Sequence, residues 1–167
     1  MATAIQKILL ITILLGSHQF SVASNTTLQV CGRGALSVAQ KHIGTAIYYA
    51  ENCQQSWQTQ SIAIDFNYQH AIPEWAFKRA AGYFLQRNIQ QQTLLDIFNQ
   101  VTALYRPVKP GDHYRLRYEI QNKTLTLSLN QRMLGSIQHP EAQKYFSIWF
   151  GAQPFNVKLK QQLLDLN

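Results

Sequence analysis

Acidic residues are scarce in this chain, cysteines number only two, and no apolar stretch approaches the length that crosses a bilayer. Each shortage excludes something. With 15 Lys and Arg against 8 Asp and Glu, and no two carboxylates close together in sequence, paired-carboxylate chemistry such as glycoside hydrolysis has no support. Two lone cysteines with no histidine pair beside them argue against a metal site. A G-x-S-x-G elbow, an H-E-x-x-H helix and a glycine-rich phosphate loop are all missing. His42, His70, His113 and His139 stand far apart, so each reads as a surface or cap residue rather than a general base. No motif asks for a cofactor.

The positive charge is spread singly, with Lys78-Arg79 the one adjacent basic pair of the mature part. A nucleic-acid binder gathers such charge into runs or interleaves it with aromatics on one face, so no nucleic-acid partner is expected. An anionic small ligand or an anionic membrane surface is compatible with the excess.

What is present begins with the parts of an export signal. A basic segment ends at Lys7, an apolar run follows from Ile8 to Leu15, and Ser21-Val22-Ala23 forms a small-residue site, which predicts cleavage near Ala23. The run is too short to span a membrane as an uncleaved anchor. The expected product is a periplasmic or secreted protein of one domain, residues 24–167, without a transmembrane segment. Such a chain is long enough to bury a real core. In an oxidising compartment an even cysteine count favours a Cys31–Cys53 disulfide over free thiols.

Along the chain, Leu28 to Tyr49 is strand-like, with Gly32, Gly34 and Gly44 read as turns or bulges. Ile62, Ile64, Phe66 and Tyr68 alternate with Ala63, Asp65, Asn67 and Gln69, the period of a half-buried strand with Asp65 toward solvent. At Pro73 the period becomes helical, burying Phe77, Ala80, Ala81, Phe84 and Leu85. A second helix is expected to open at Thr93 as its cap and to bury Leu94, Ile97, Phe98, Val101 and Leu104. After the breaker Arg106 to Asp112, Tyr114, Leu116, Tyr118 and Ile120 face Leu125, Leu127 and Leu129 across a turn at Asn122-Lys123, a hairpin. Two closing helices are expected, Pro140 to Phe150 and about Asn156 to Leu166, with Gly151 as a left-handed stop between them. That order argues for an α+β domain with a curved, largely antiparallel sheet covered by a layer of helices.

Three stretches resemble the chalcone isomerase-like family in its short exported bacterial form. They are C-G-R-G-A-L (Cys31 to Leu36) with I-G-T-A-I-Y-Y-A (Ile43 to Ala50), then Y-R-P-V-K-P-G-D-H-Y-R-L-R-Y (Tyr105 to Tyr118), then Y-F-S-I-W-F-G (Tyr145 to Gly151) leading into L-K-Q-Q-L-L (Leu159 to Leu164). The resemblance implies a sheet, a helix layer and an apolar cleft between them. It also implies either an isomerase closing a ring on an enone or a non-enzymatic member holding fatty acids. Arg33 is similar to the enzymes' arginine. Gly44 stands opposite their threonine, with Thr45 one residue away, and Lys78 is out of their spacing.

The leading expectation is therefore a non-catalytic domain that binds a hydrophobic or amphipathic small molecule such as a fatty acid. Arg33, helped by Tyr48 or Tyr49, would receive the carboxylate. An isomerase or lyase and a cell-envelope interaction module without ligand are the alternatives.

Overall fold

The alternating stretches become strands and the helical ones become helices, in the order the sequence suggests with one addition. The computed structural model describes residues 27–165, so the expected signal segment lies outside the described residues. The strands are β1 (Gln29–Val38), β2 (Lys41–Ala50), β3 (Ile62–Tyr68), β4 (His113–Glu119), β5 (Thr124–Leu129) and β6 (Arg132–Gln138). They form one antiparallel sheet in chain order, β1-β2-β3-β4-β5-β6. Helices α1 (Glu74–Asn88) and α2 (Gln92–Thr102) are inserted between β3 and β4; α3 (Ser147–Phe150) and α4 (Val157–Leu164) close the chain. The fold is the α+β arrangement expected.

One face of the sheet is a row of large apolar residues. Tyr48, Ile64, Leu116 and Leu127 are cross-strand neighbours across β2 to β5, and all four are buried. Each aliphatic member contributes about 1.5–3 kcal/mol through burial. The residues between them point to the other face, where long polar side chains replace helices as the cover.

Several local expectations are corrected. The first hairpin does not turn at a glycine, although the β1–β2 ladder is irregular beside two of them, between Val30 and Gly32 and next to the Leu36–Gly44 pair, as the bulge reading expects. It turns at Ala39-Gln40, with φ of 46° and 68°, the two-residue left-handed geometry that matches strand twist. Asn130-Gln131 makes the same turn (50° and 67°) and leads into β6, a strand beyond those expected, since Arg132 to Gln138 lacks a run of alternating apolar residues. Asp65 does not face solvent; it is only 5% exposed, because β3 is central and long side chains of β2 and β4 fold over it. Thr93 does not cap α2, which begins one residue earlier after Gln91 without a side-chain cap. The stretch expected as one helix from Pro140 is a 3-10 turn (Ala142–Phe146) followed by the short α3. Gly151 is extended, with φ −66° and ψ −177°, rather than left-handed.

Gly32 and Gly34 are needed for close approach. They lie inside β1 beneath α4, where a Cβ on Gly32 would sit 2.1 Å from the Leu163 carbonyl oxygen and one on Gly34 would sit 2.6 Å from Leu159 Cδ1. Absent side chains thus let α4 rest directly on the edge strand. The Cys31–Cys53 disulfide is present and ties the same strand to the loop after β2, contributing about 3 kcal/mol by constraining the unfolded chain.

Two substitutions separate these roles. Gly32→Ala should lower stability by about 1–3 kcal/mol, because backbone rather than a flexible side chain must yield. Gly82→Ala, in α1 with no atom within 4 Å of the added carbon, should be neutral or stabilising by up to about 1 kcal/mol. Urea unfolding of both variants checks this.

Candidate functional site

Helix α1 does not lie flat on the sheet. Its side chains toward the strands include Ala76, Ala80 and Ala81, too short to reach across, and a chamber of about 190 Å³ remains between helix and sheet. Leu36, Phe66 and Leu116 form its floor, and Ile148 and Trp149 close one side. Val38 also lines it and is 47% exposed, so the chamber reaches the surface beside the β1–β2 turn. The expected apolar cleft between sheet and helices is present.

One end of the chamber is an aromatic box. Phe77 stacks on Tyr105 at 5.3 Å and 12°, and meets the ring edges of Tyr68 and Tyr114 at 5.5 Å each. Phe66 and Trp149, 5.0 Å apart, stand together elsewhere in the wall. Among the described residues, the only ionisable groups in the lining are the tyrosines Tyr68, Tyr105 and Tyr114. Two of their hydroxyls are committed elsewhere. Tyr114 donates to the Arg106 carbonyl (2.9 Å) and accepts from the Arg106 amide (2.7 Å). Tyr105 bonds to Tyr145, whose hydroxyl also pairs with Thr102 at 3.0 Å.

Burial raises the phenols of Tyr68 and Tyr105 well above the ordinary tyrosine value, and the neighbouring Tyr114 and Tyr145 rings add to it. Tyr145 is pushed up to about 12, chiefly by burial. These groups are neutral donors at physiological pH, not bases. Among the described residues no cluster of His, Cys, Asp or Glu could hold a metal ion.

The three residues expected to receive a carboxylate are divided between the two faces of the sheet. Tyr48 is on the chamber side, but its ring packs against Phe150 at 4.9 Å and it is not in the chamber lining. Its phenol is pushed up to about 12 by burial. Arg33 pairs with Ile47, out of step with the inward residues Gly32 and Gly34, and so lies on the opposite, outer face. It shares a shallow recess there with Thr45 and Gln162. Tyr49 is on that outer face too, beneath the Arg115 guanidinium (5.1 Å to the ring centre). Arg33 therefore cannot meet a ligand within the chamber.

Arg115 and His113 approach the buried Asp65 carboxylate at 3.3 and 3.4 Å, and burial followed by that carboxylate's charge raises the Tyr49 phenol. This cluster holds down the uncovered side of the sheet. Sequence alternation alone could have assigned Arg33 to the outer face once Gly34 was known to face inward. The chamber itself had no sequence signal beyond three alanines on one helical face.

An open antiparallel sheet with helices on one side and an apolar chamber between them defines a small α+β domain built around an internal ligand-sized space. The chain belongs to the chalcone isomerase-like family, whose model matches residues 44–165. Among solved structures it is similar to a fatty-acid binding protein of Arabidopsis thaliana, with 13% identity, a TM-score of 0.63, and coverage of 88% of this chain and 91% of that one. No curated protein matches by sequence.

Raised phenol values fix the sign of an alkaline effect. The unfolded chain loses its phenolic protons near pH 10 while the folded chain retains them, so folding stability is undiminished below about pH 10 and falls as pH climbs above it. Urea midpoints should fall progressively as pH is raised from about 10 to 12, and the 295 nm absorbance of the buried tyrosines should rise together with unfolding rather than before it.

Proposed function

We propose that this protein is an exported, non-catalytic holder of a hydrophobic or amphipathic small molecule, whose apolar part occupies the chamber under α1. The observation that carries the reading is a chamber with an apolar wall, three neutral phenols and no charged side chain in its lining. Chemistry on an enone needs a base or a cation at the reacting atoms, and this lining supplies neither. The fatty-acid binding relative supports the same reading, at the level of fold.

Size and charge narrow the ligand. An apolar cavity of about 150 Å³ admits benzene, so the chamber takes one ring or a short length of alkyl chain. Burying a carboxylate without a partner is prohibitive, so the head of a fatty acid stays at the mouth. There Lys41 is the cross-strand partner of Val38, which puts its side chain on the same side of the hairpin. A medium-chain fatty acid with its tail inside and its head by Lys41 satisfies both limits.

Substitution tests this directly, using calorimetric titration with decanoic acid and decanol. Ala80→Leu fills part of the chamber, so it should weaken both ligands by at least tenfold while raising the urea midpoint of the empty protein, the trade expected when a void is kept for use. Lys41→Glu should weaken the acid about two- to fivefold or more, the worth of an exposed ion pair, and leave the alcohol unchanged. Absence of saturable binding of either compound to the unsubstituted protein would overturn the reading.

A further inference from the structure

Helix α1 has a second face that the chamber does not explain. Trp75, Arg79 and Tyr83 recur every fourth residue on the side away from the strands, and Arg87 continues the stripe; all four are exposed. Trp75 is 65% exposed and Tyr83 53%. Scattered apolar residues at a surface need no explanation. Here, however, two of the largest exposed rings among the described residues share one helical stripe with two guanidiniums.

The charges on this helix are arranged to remain positive. Its acidic residue Glu74 is neutralised within the helix by Lys78, which leaves Arg79 and Arg87 in excess. Arg87 lies over the Tyr83 ring, 5.2 Å from its centre, and also donates to the Tyr83 hydroxyl at 2.7 Å, so ring and charge are held as a unit. Arg79 forms no ion pair with any described residue. Trp and Tyr rings with an apolar body and a polar tip, alternating with Arg on the wet side of an amphipathic helix, are suited to a lipid headgroup layer. A protein interface would depend on anchors shut away from water at its centre, whereas each ring of this stripe has a guanidinium as its neighbour one turn along.

We propose that the outer face of α1 docks on an anionic phospholipid surface, with Trp75 and Tyr83 at headgroup depth and Arg79 and Arg87 against the phosphates. The partner is committed by charge: from Ser24 onward the chain carries 14 Lys and Arg against 8 Asp and Glu, and negatively charged leaflets attract each surface cation in turn. The proposal stands without any ligand in the chamber. On the reading given above, it also sets one wall of that chamber against a membrane, the source of apolar ligands.

The test uses the chain from Ser24 onward, which retains every strand and helix, without added chamber ligand. It is sedimented with vesicles of phosphatidylcholine alone and of an equal mixture with phosphatidylglycerol. Binding is expected only to the mixture, to be lost at high salt, to weaken about fivefold in Arg79→Gln and about 25-fold in Arg79→Glu, the effect of one and two charge units at such a surface. Circular dichroism and the urea midpoint should be unchanged in both variants. Brominated acyl chains should quench part of the tryptophan fluorescence, and Trp75→Phe should remove that part.

Equal binding to neutral vesicles overturns the proposal, as does retention of binding by Arg79→Glu. If anionic vesicles are not bound and the stripe instead mediates self-association that Arg79→Glu abolishes, the face belongs to a protein contact and the lipid assignment is wrong. Binding of decanol measured in parallel shows independently whether the chamber reading holds.

Discussion

Everything distinctive about this molecule depends on the separation between α1 and the sheet. The helix packs mainly on α2 and α3 and reaches the strands through Phe77, while the side chains it turns inward also include three alanines where leucines would close the gap. Apolar surface left unpacked around such a chamber forfeits dispersion contacts, a real cost in a domain stable by only about 5–15 kcal/mol. That cost is offset by rigid surroundings: a six-stranded sheet paired antiparallel between every pair of neighbours, a disulfide on its edge strand, and an aromatic box whose rings brace one another edge to face.

The sheet separates two electrostatic worlds. Its chamber side holds hydroxyls that stay neutral because burial disfavours the phenolate, Tyr114 being bonded to the Arg106 backbone and Tyr105 to Tyr145. Its outer side gathers Arg33, Tyr49, Asp65, His113 and Arg115, where the buried Asp65 carboxylate is compensated by the Arg115 guanidinium, with the His113 ring beside it. A carboxylate ligand and its arginine would have to meet across this barrier, and they do not. The cations available to an amphipathic molecule are instead at the rim, on the turn beside Val38 and on the far side of α1.

Family membership explains the frame more than the chemistry. Thirteen per cent identity over most of two chains is enough to retain a sheet, a helix layer and their order, because those depend on apolar period and approximate volume, which many residues satisfy. It does not retain a particular arginine on a particular face, since a shift of one residue along a strand reverses the direction of every side chain.

Much of this was legible in the sequence. The period-2 run of β3, the hairpin of β4 and β5, both long helices and the cysteine pair follow from local pattern, and the α+β class follows from their order. Other features were not legible, each for a physical reason. Strand β6 is built from residues that pair through backbone and carry little apolar signal, while Gly32 and Gly34 look like turn residues until α4 is seen pressed against them. The face on which Arg33 lies is a matter of register, which depends on where the first hairpin turns, and Ala39-Gln40 gives no local sign of turning. The chamber is the volume left over when distant elements are placed together. Local sequence therefore determined which segments form and which of their sides is apolar; only the tertiary arrangement decided where those sides fail to touch, because a gap is a property of two surfaces and no single stretch of chain contains both.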